Sequence, residues 1–201
     1  MGRRRPPIGV ILAGGLGRRI GGAKAVVKLC GRPLIAYPLE ALTLALDEVA
    51  VIAKADTMLP SLPGVTIWIE PPEPRHPLVG ITHALAFASG REAVVCAADL
   101  PFVTPELIDR IAHTDPAGAP AVVATRNGVM QPLLGCYQQL AGELLLSASE
   151  AAGQPLREAV AAIGPRLFEV EDPEALFNVN APDDLLMASA MLDRRRRVGA
   201  S

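Results

Sequence analysis

Residues 12–24 read LAGGLGRRIGGAK, which puts five glycines in the nine positions 14–22 beside Arg18, Arg19 and Lys24. Glycines without Cβ atoms permit positive φ and let successive backbone N–H groups face one anion. Guanidinium and ammonium groups are the usual partners of phosphate oxygens. The chemistry to expect is a phosphate cradle. Two familiar glycine loops do not fit. A Walker A loop needs Gly directly before Lys and Ser or Thr after it, whereas Lys24 stands between Ala23 and Ala25. The dinucleotide fingerprint is G-x-G-x-x-G, and Gly15, Gly17 and Gly21 are spaced one residue longer.

A second candidate is Asp99, which follows the apolar run 93–98 and precedes Leu100 and Pro101. An acid at a strand's carboxyl end, on the same edge as the glycine loop, can reach a metal bound to nucleotide phosphates. Mg²⁺ suits it, being a hard ion that keeps waters and needs only one or two protein carboxylates. Capping of the turn before Thr104 is the competing role. Asn180 opens the last helical pattern in the stretch NVNAPDDL, and its amide can bond phosphate or metal-bound water, or else cap the helix. Asp183 and Asp184 fall in a first helical turn, where acids complement the helix dipole. His76, His83 and His113 show no metal-ligand spacing, and no G-x-S-x-G elbow supports covalent hydrolysis.

These groups need a scaffold, and the hydropathy pattern supplies one. Short apolar runs at 8–12, 49–52, 65–69, 93–96, 121–124 and 133–137 alternate with helix-spaced apolar residues at 34–46, 78–88, 105–112 and 140–151. Strands apolar on both faces and separated by helices predict an α/β fold, its mostly parallel sheet covered on both sides. Pro33, Pro105 and Pro182 are placed to open helices, with Thr104 as a cap for the second of these. The proline-rich stretch 71–77 must be a loop, at the carboxyl edge where open α/β sheets bind ligands. No internal repeat or linker divides the chain, so one domain is expected over residues 1–201, with a core of about 7–190 and flexible basic ends.

Composition excludes several classes. At 201 residues and 50% hydrophobic content the chain can bury a core, and at 3% aromatic it offers few rings for stacking bases. Without the seven arginines at 3–5 and 194–197, twelve basic residues face 21 acidic ones, a net −9, which argues against a nucleic-acid partner. Those arginine clusters are expected to be solvated and frayed. Cys30, Cys96 and Cys136, odd in number and outside any C-x-x-C spacing, read as buried structural thiols in a cytoplasmic protein. No apolar stretch reaches the roughly 20 residues of a membrane span.

The pattern L-A-G-G-x-x-x-R-x-G-G-x-K followed by Gly31-Arg32-Pro33-Leu34 resembles the signature loop of nucleotidyltransferases. With PLVG at 77–80, ADLP at 98–101, QPLLG at 131–135 and NVNAPDDL at 178–185, it is similar to the molybdenum cofactor guanylyltransferases, or MobA-like proteins. The likeness runs from Ile8 to about Met187. It implies a three-layer α/β/α, Rossmann-like nucleotidyltransferase fold, GTP and molybdopterin or its molybdenum form as substrates, and Mg²⁺. It also implies a monomer making transient contact with cofactor-biosynthesis enzymes or recipient molybdoenzymes.

A scheme for such a transfer gives each candidate residue a role. Leu12, Ala13, Gly14, Gly15 and Gly17 would bind the nucleotide, Arg18 and Lys24 would offset charge, and Asp99 would hold Mg²⁺. Arg19, Gly80 and Asn180 would assist the acceptor or the metal. The family commonly has an Asn after the second strand that reads guanine, where this chain has Ala53 and Lys54. The acid before the G-P-L-x-G element is most nearly matched by Glu73, and His76 replaces that element's first Gly. A molybdopterin cytidylyltransferase, another NTP transferase acting on a small phosphorylated acceptor, such as a sugar phosphate, and a non-catalytic nucleotide-binding module are the alternatives. A dinucleotide-dependent oxidoreductase is disfavoured by the glycine spacing.

Overall fold

The computed structural model describes residues 5–14, 24–149 and 154–199. Its centre is a seven-stranded sheet in the order β5-β4-β1-β6-β8-β7-β9. The strands are β1 (Ile8–Leu12), β4 (Val49–Lys54), β5 (Thr66–Glu70), β6 (Ala93–Ala97), β7 (Ala121–Arg126), β8 (Val129–Tyr137) and β9 (Arg166–Glu169). Only β8 runs antiparallel to its neighbours. It returns from β7 through Asn127 and Gly128, both at positive φ (50° and 75°), the backbone an Asn-Gly hairpin turn adopts.

Every residue of β6 is buried, as a strand covered on both faces must be. One face packs on α1 (Ala36–Ala45) and α3 (Pro105–His113) through Leu42, Ile108 and Ile111. The other packs on α2 (Pro77–Phe87), α4 (Gln139–Ser149) and α5 (Leu156–Ala162) through Ile81, Leu85, Leu145 and Val160. A smaller cluster of Leu29, Leu34, Phe102, Val179 and Ala188 ties the ribbon β2 (Lys28–Leu29) and β3 (Arg32–Pro33) to α6 (Pro182–Gly199). The expected three-layer α/β/α architecture is present. No helix among the described residues is long and apolar enough to cross a membrane.

Four local expectations change. Pro33 opens no helix: it pairs with Lys28 across a tight turn in which Cys30 and Gly31 have φ of 48° and 83°. Helix α1 starts three residues later, with Pro38 in its first turn, where the missing N–H costs no helical bond. Cys96 and Cys136 are buried as expected, but Cys30 is exposed on that turn, 3.3 Å from Ser189 Oγ. Arg194 to Arg197 are helical rather than frayed. Arg195 pairs with Asp172 and Glu174, each at 2.9 Å, and its guanidinium lies 4.9 Å from the Phe102 ring centre. Of the other cluster, Arg3 and Arg4 lie outside the described residues.

Candidate active site

A cleft of about 210 Å³ opens at the carboxyl ends of β1, β4, β5 and β6. Parallel strands end together, so the first residues past each of them meet there. Leu12, Ala13 and Gly14 come from β1, Asp99 from the turn after β6, and Lys24 from the single 3₁₀ turn Lys24–Val26. Ala13 N donates to Ile52 O at 2.9 Å, so the chain leaving β1 is still fastened to β4 as it enters the cleft.

At one end Lys24 Nζ contacts Asp99 Oδ2 and donates to Asn180 Oδ1 at 2.6 Å. The side chains of Lys24 and Asp99 are 15% and 16% exposed. Asn180 reaches this point because Val179 N donates to the Asp99 carbonyl at 3.0 Å, which pins the end of the 3₁₀ segment Pro173–Leu176 and its continuation against the β6 turn. The amide of Asn180 does not cap α6. Asp184 does that, its Oδ2 accepting from Asn180 N at 2.7 Å and Ala181 N at 2.9 Å. Thr104 caps α3 as expected, accepting from Leu107 N at 3.2 Å. Asp99 Oδ1 is buried and has no hydrogen-bond partner among the described residues.

At the other end lie two residues the sequence analysis did not single out as site residues. Lys54, the last residue of β4, and Glu70, the last of β5, form an ion pair at 3.3 Å. Their side chains are only 3% and 6% exposed. Lys54 Nζ also donates to Pro71 O at 2.5 Å. Gly14 and Gly80 border this pair: a Cβ on Gly14 would sit 2.8 Å from Glu70 Oε1, and one on Gly80 would sit 3.0 Å from Leu12 Cδ1. Gly80 is thus a close-packing position beside Glu70. His76 caps α2, its Nδ1 accepting from Leu78 N at 3.2 Å.

Glu73, the expected base-reading acid, does not line the cleft. Its side chain is 72% exposed and turns to Arg75, whose backbone N donates to it at 3.1 Å. The prolines at 71, 72 and 74 keep this bent segment out of the sheet and out of α2, and Glu73 stands in solvent. A signal for Lys54 and Glu70 did exist, since each is a charged residue ending a mostly apolar strand. Gly15, Gly17, Arg18 and Arg19 lie outside the described residues.

The profile of the MobA-like NTP transferase domain matches residues 9–167. The chain belongs to the MobA-like NTP transferase family. A molybdenum cofactor guanylyltransferase of Cereibacter sphaeroides is 35% identical over 193 residues, covering 92% of this chain and 96% of that protein. One from Rhodobacter capsulatus is 34% identical over 191 residues, covering 92% and 95%. Among solved structures, the molybdopterin-guanine dinucleotide biosynthesis protein A of Archaeoglobus fulgidus superposes with a TM-score of 0.75 at 23% identity, covering 93% of this chain and 99% of that one. The cleft of this MobA-like chain lies at the carboxyl edge of the sheet, the edge at which open α/β sheets bind ligands.

Proposed function

We propose that the chain transfers GMP from GTP to the terminal phosphate of molybdopterin, or of its molybdenum-bearing form, with release of pyrophosphate. The observation that carries this reading is the convergence of Lys24, Asp99 and Asn180 at one end of the cleft, with an Asp99 oxygen that has no partner among the described residues. The names of the relatives supply the substrates.

An oxygen of the acceptor phosphate attacks the α-phosphorus of GTP. A P–O bond forms as the bond to the bridging oxygen breaks, and pyrophosphate leaves with that electron pair. The nucleophile is already anionic, so the chain's task is alignment and charge compensation rather than proton removal. Lys24 is a cation at the cleft mouth, held by groups from two distant segments, and its ammonium can turn toward phosphate oxygens when they arrive. Asn180 positions it. Gly14, Gly15 and Gly17 offer backbone N–H groups to the triphosphate, Arg18 offsets developing charge, and Arg19 assists at the acceptor.

The residues fit a divalent cation, and Mg²⁺ in particular. Among the described residues no three His, Cys, Asp or Glu side chains converge, so a cage made wholly of protein is not offered. One half-buried carboxylate with a spare oxygen is the donor set of an ion that arrives with phosphates and keeps its waters. Asp99 would hold it, and its chemistry there would be neutralisation of phosphate charge.

Pyrophosphate release should be measured with each of GTP, CTP, ATP and UTP in the presence of molybdopterin and Mg²⁺. Release with GTP and acceptor together supports the reading. Preference for CTP would reassign the chain as a cytidylyltransferase, and binding of NTP without release would make it a non-catalytic module.

A further inference from the structure

We infer that Arg195 is a positioning residue for the transfer reaction: its guanidinium sets where Asn180, and through it the Lys24 ammonium, stands against Asp99. The inference rests on the guanylyl transfer proposed above and extends its machinery to α6, a helix that contributes no residue to the lining of the cleft.

Three observations carry it. First, Arg195 continues an inward stripe of its helix. Ala188, Leu192 and Arg195 are spaced i, i+4 and i+7 on α6, and the first two pack in the cluster that holds Phe102 and Val179. Helical spacing calls for an apolar residue at 195, yet a guanidinium lies there, 4.9 Å from the centre of a Phe102 ring that is itself 2% exposed. Second, the guanidinium grips both ends of one carboxylate-bearing turn. Its Nη2 donates to Asp172 Oδ2 and its Nε to Glu174 Oε2, each at 2.9 Å. The other Asp172 oxygen accepts from Glu174 N at 2.8 Å and so opens the 3₁₀ segment Pro173–Leu176. Third, that segment leads directly into the site. Phe177 packs edge-on against Phe102 with ring centres 6.1 Å apart, Val179 N donates to Asp99 O, and Asn180 Oδ1 accepts from Lys24 Nζ. Phe102 lies three residues beyond Asp99, so one guanidinium bridges the turn that carries Asp99 to the segment that carries Asn180.

Stability alone does not explain an arginine here. A leucine would continue the apolar stripe and cover Phe102 as well. Ion pairs as open as that of Arg195 with Asp172, whose side chains are 34% and 47% exposed, contribute little to folding. What a planar fork adds is direction: its N–H groups hold two carboxylates at fixed angles while its face rests on a ring. Direction matters to the reaction, because a displacement of about 1 Å arising far from the chemistry can cost as much as about a hundredfold in rate. The amide of Asn180 meets the Lys24 ammonium only if the segment from Asp172 onward lies where Arg195 holds it.

The test has two arms. The first is amide hydrogen exchange followed by NMR on the wild type, Arg195→Met and Asp172→Asn. The asparagine keeps an oxygen for Glu174 N and removes only the charge that Arg195 holds. Arg195→Met should speed exchange at the Val179 N–H at least about tenfold relative to that of Val95 in the central strand β6, and Asp172→Asn should speed it by less. The second arm is steady-state pyrophosphate release. Arg195→Met should lower kcat about fivefold and leave KM for GTP within about twofold. Added to Asn180→Ala it should cost less than about twofold more, because both changes act on the same lysine, whereas independent effects would multiply. Arg110→Met removes a comparable guanidinium, 5.1 Å from the Phe168 ring centre and outside the cleft, and should leave kcat unchanged. Unaltered exchange at Val179, an unaltered kcat in Arg195→Met, multiplying losses in the double variant or an equal loss in Arg110→Met would each overturn the inference. A wild type that released no pyrophosphate would overturn the transfer reading alone, and faster exchange at Val179 would still establish Arg195 as the residue that positions Asn180.

Discussion

The cleft holds two lysine–carboxylate pairs, one beside the end of β6 and one at the ends of β4 and β5, and they differ in what surrounds them. Lys24 and Asp99 are partly open to solvent and brought together from segments 75 residues apart, with an exposed amide as a third partner. Lys54 and Glu70 end adjacent strands of one sheet and are almost wholly enclosed. A partly solvated pair can exchange its partner for an incoming phosphate at small cost, because water screens the separated charges. An enclosed pair cannot, because either charge left alone is uncompensated. The first arrangement suits groups that must respond during a reaction. The second suits groups that must stay where they are while a ligand comes to them.

This contrast is most easily broken by stability measurements. Lys54→Met should lower the unfolding free energy by about 3–5 kcal/mol, the usual cost of stranding one member of a buried pair. The Lys54→Met/Glu70→Leu double variant should recover most of that loss. Lys24→Ala should cost under about 1 kcal/mol. Urea denaturation monitored by circular dichroism would settle it, and equal losses in the two single variants would erase the distinction.

Turnover should show the opposite order. Lys24→Ala and Asp99→Ala are each expected to slow pyrophosphate release by at least about a hundredfold, or roughly 2.7 kcal/mol of barrier, while remaining folded. Asn180→Ala acts through the lysine and should cost nearer to tenfold, about 1.4 kcal/mol. A near-normal rate for either charged variant would remove that residue from the mechanism.

The same contrast separates what sequence could reveal from what it could not. Six strands and four helices announce themselves because an apolar run or a helical period persists for several residues. By contrast, β9 and α5 have four and seven residues and carry too little periodicity to stand out. Asp99 and Asn180 were legible as chemistry because an acid after a buried strand, or an amide before a proline-opened helix, has a meaning in local sequence. Their meeting with Lys24 depends on the bond from Val179 N to Asp99 O, which is tertiary. Glu73 most nearly matches the acid that precedes the PLVG segment in the family, but proximity in sequence says nothing about which way a proline-held loop faces. Lys54 was noted only as the occupant of a position where the family has Asn, since a lone lysine at a strand end reads as solvated until its partner on the next strand is known.

A third pair, distant from the cleft, sharpens the rule that enclosure sets the energy. Arg91 Nη1 donates to Glu48 Oε2 at 2.6 Å, with the Glu48 side chain 56% exposed. The hydrogen bond from Arg91 holds the Glu48 carboxyl below its ordinary value of 4.5. A carboxyl depressed in the folded state contributes stability that is present above its unfolded pKa and is lost as the pH falls through the folded one. Because water screens so exposed a pair, Glu48→Gln should cost no more than about 0.5 kcal/mol at pH 7. Urea midpoints of wild type and variant, compared from pH 7 to pH 3, should converge as the pH drops below about 4.5, where protonation of the wild-type carboxyl removes the charge that the variant already lacks. A gap that persisted unchanged to pH 3 would mean that packing, not charge, holds Glu48 in place, and exposure would then be a poor guide to which pairs in this fold are electrostatic.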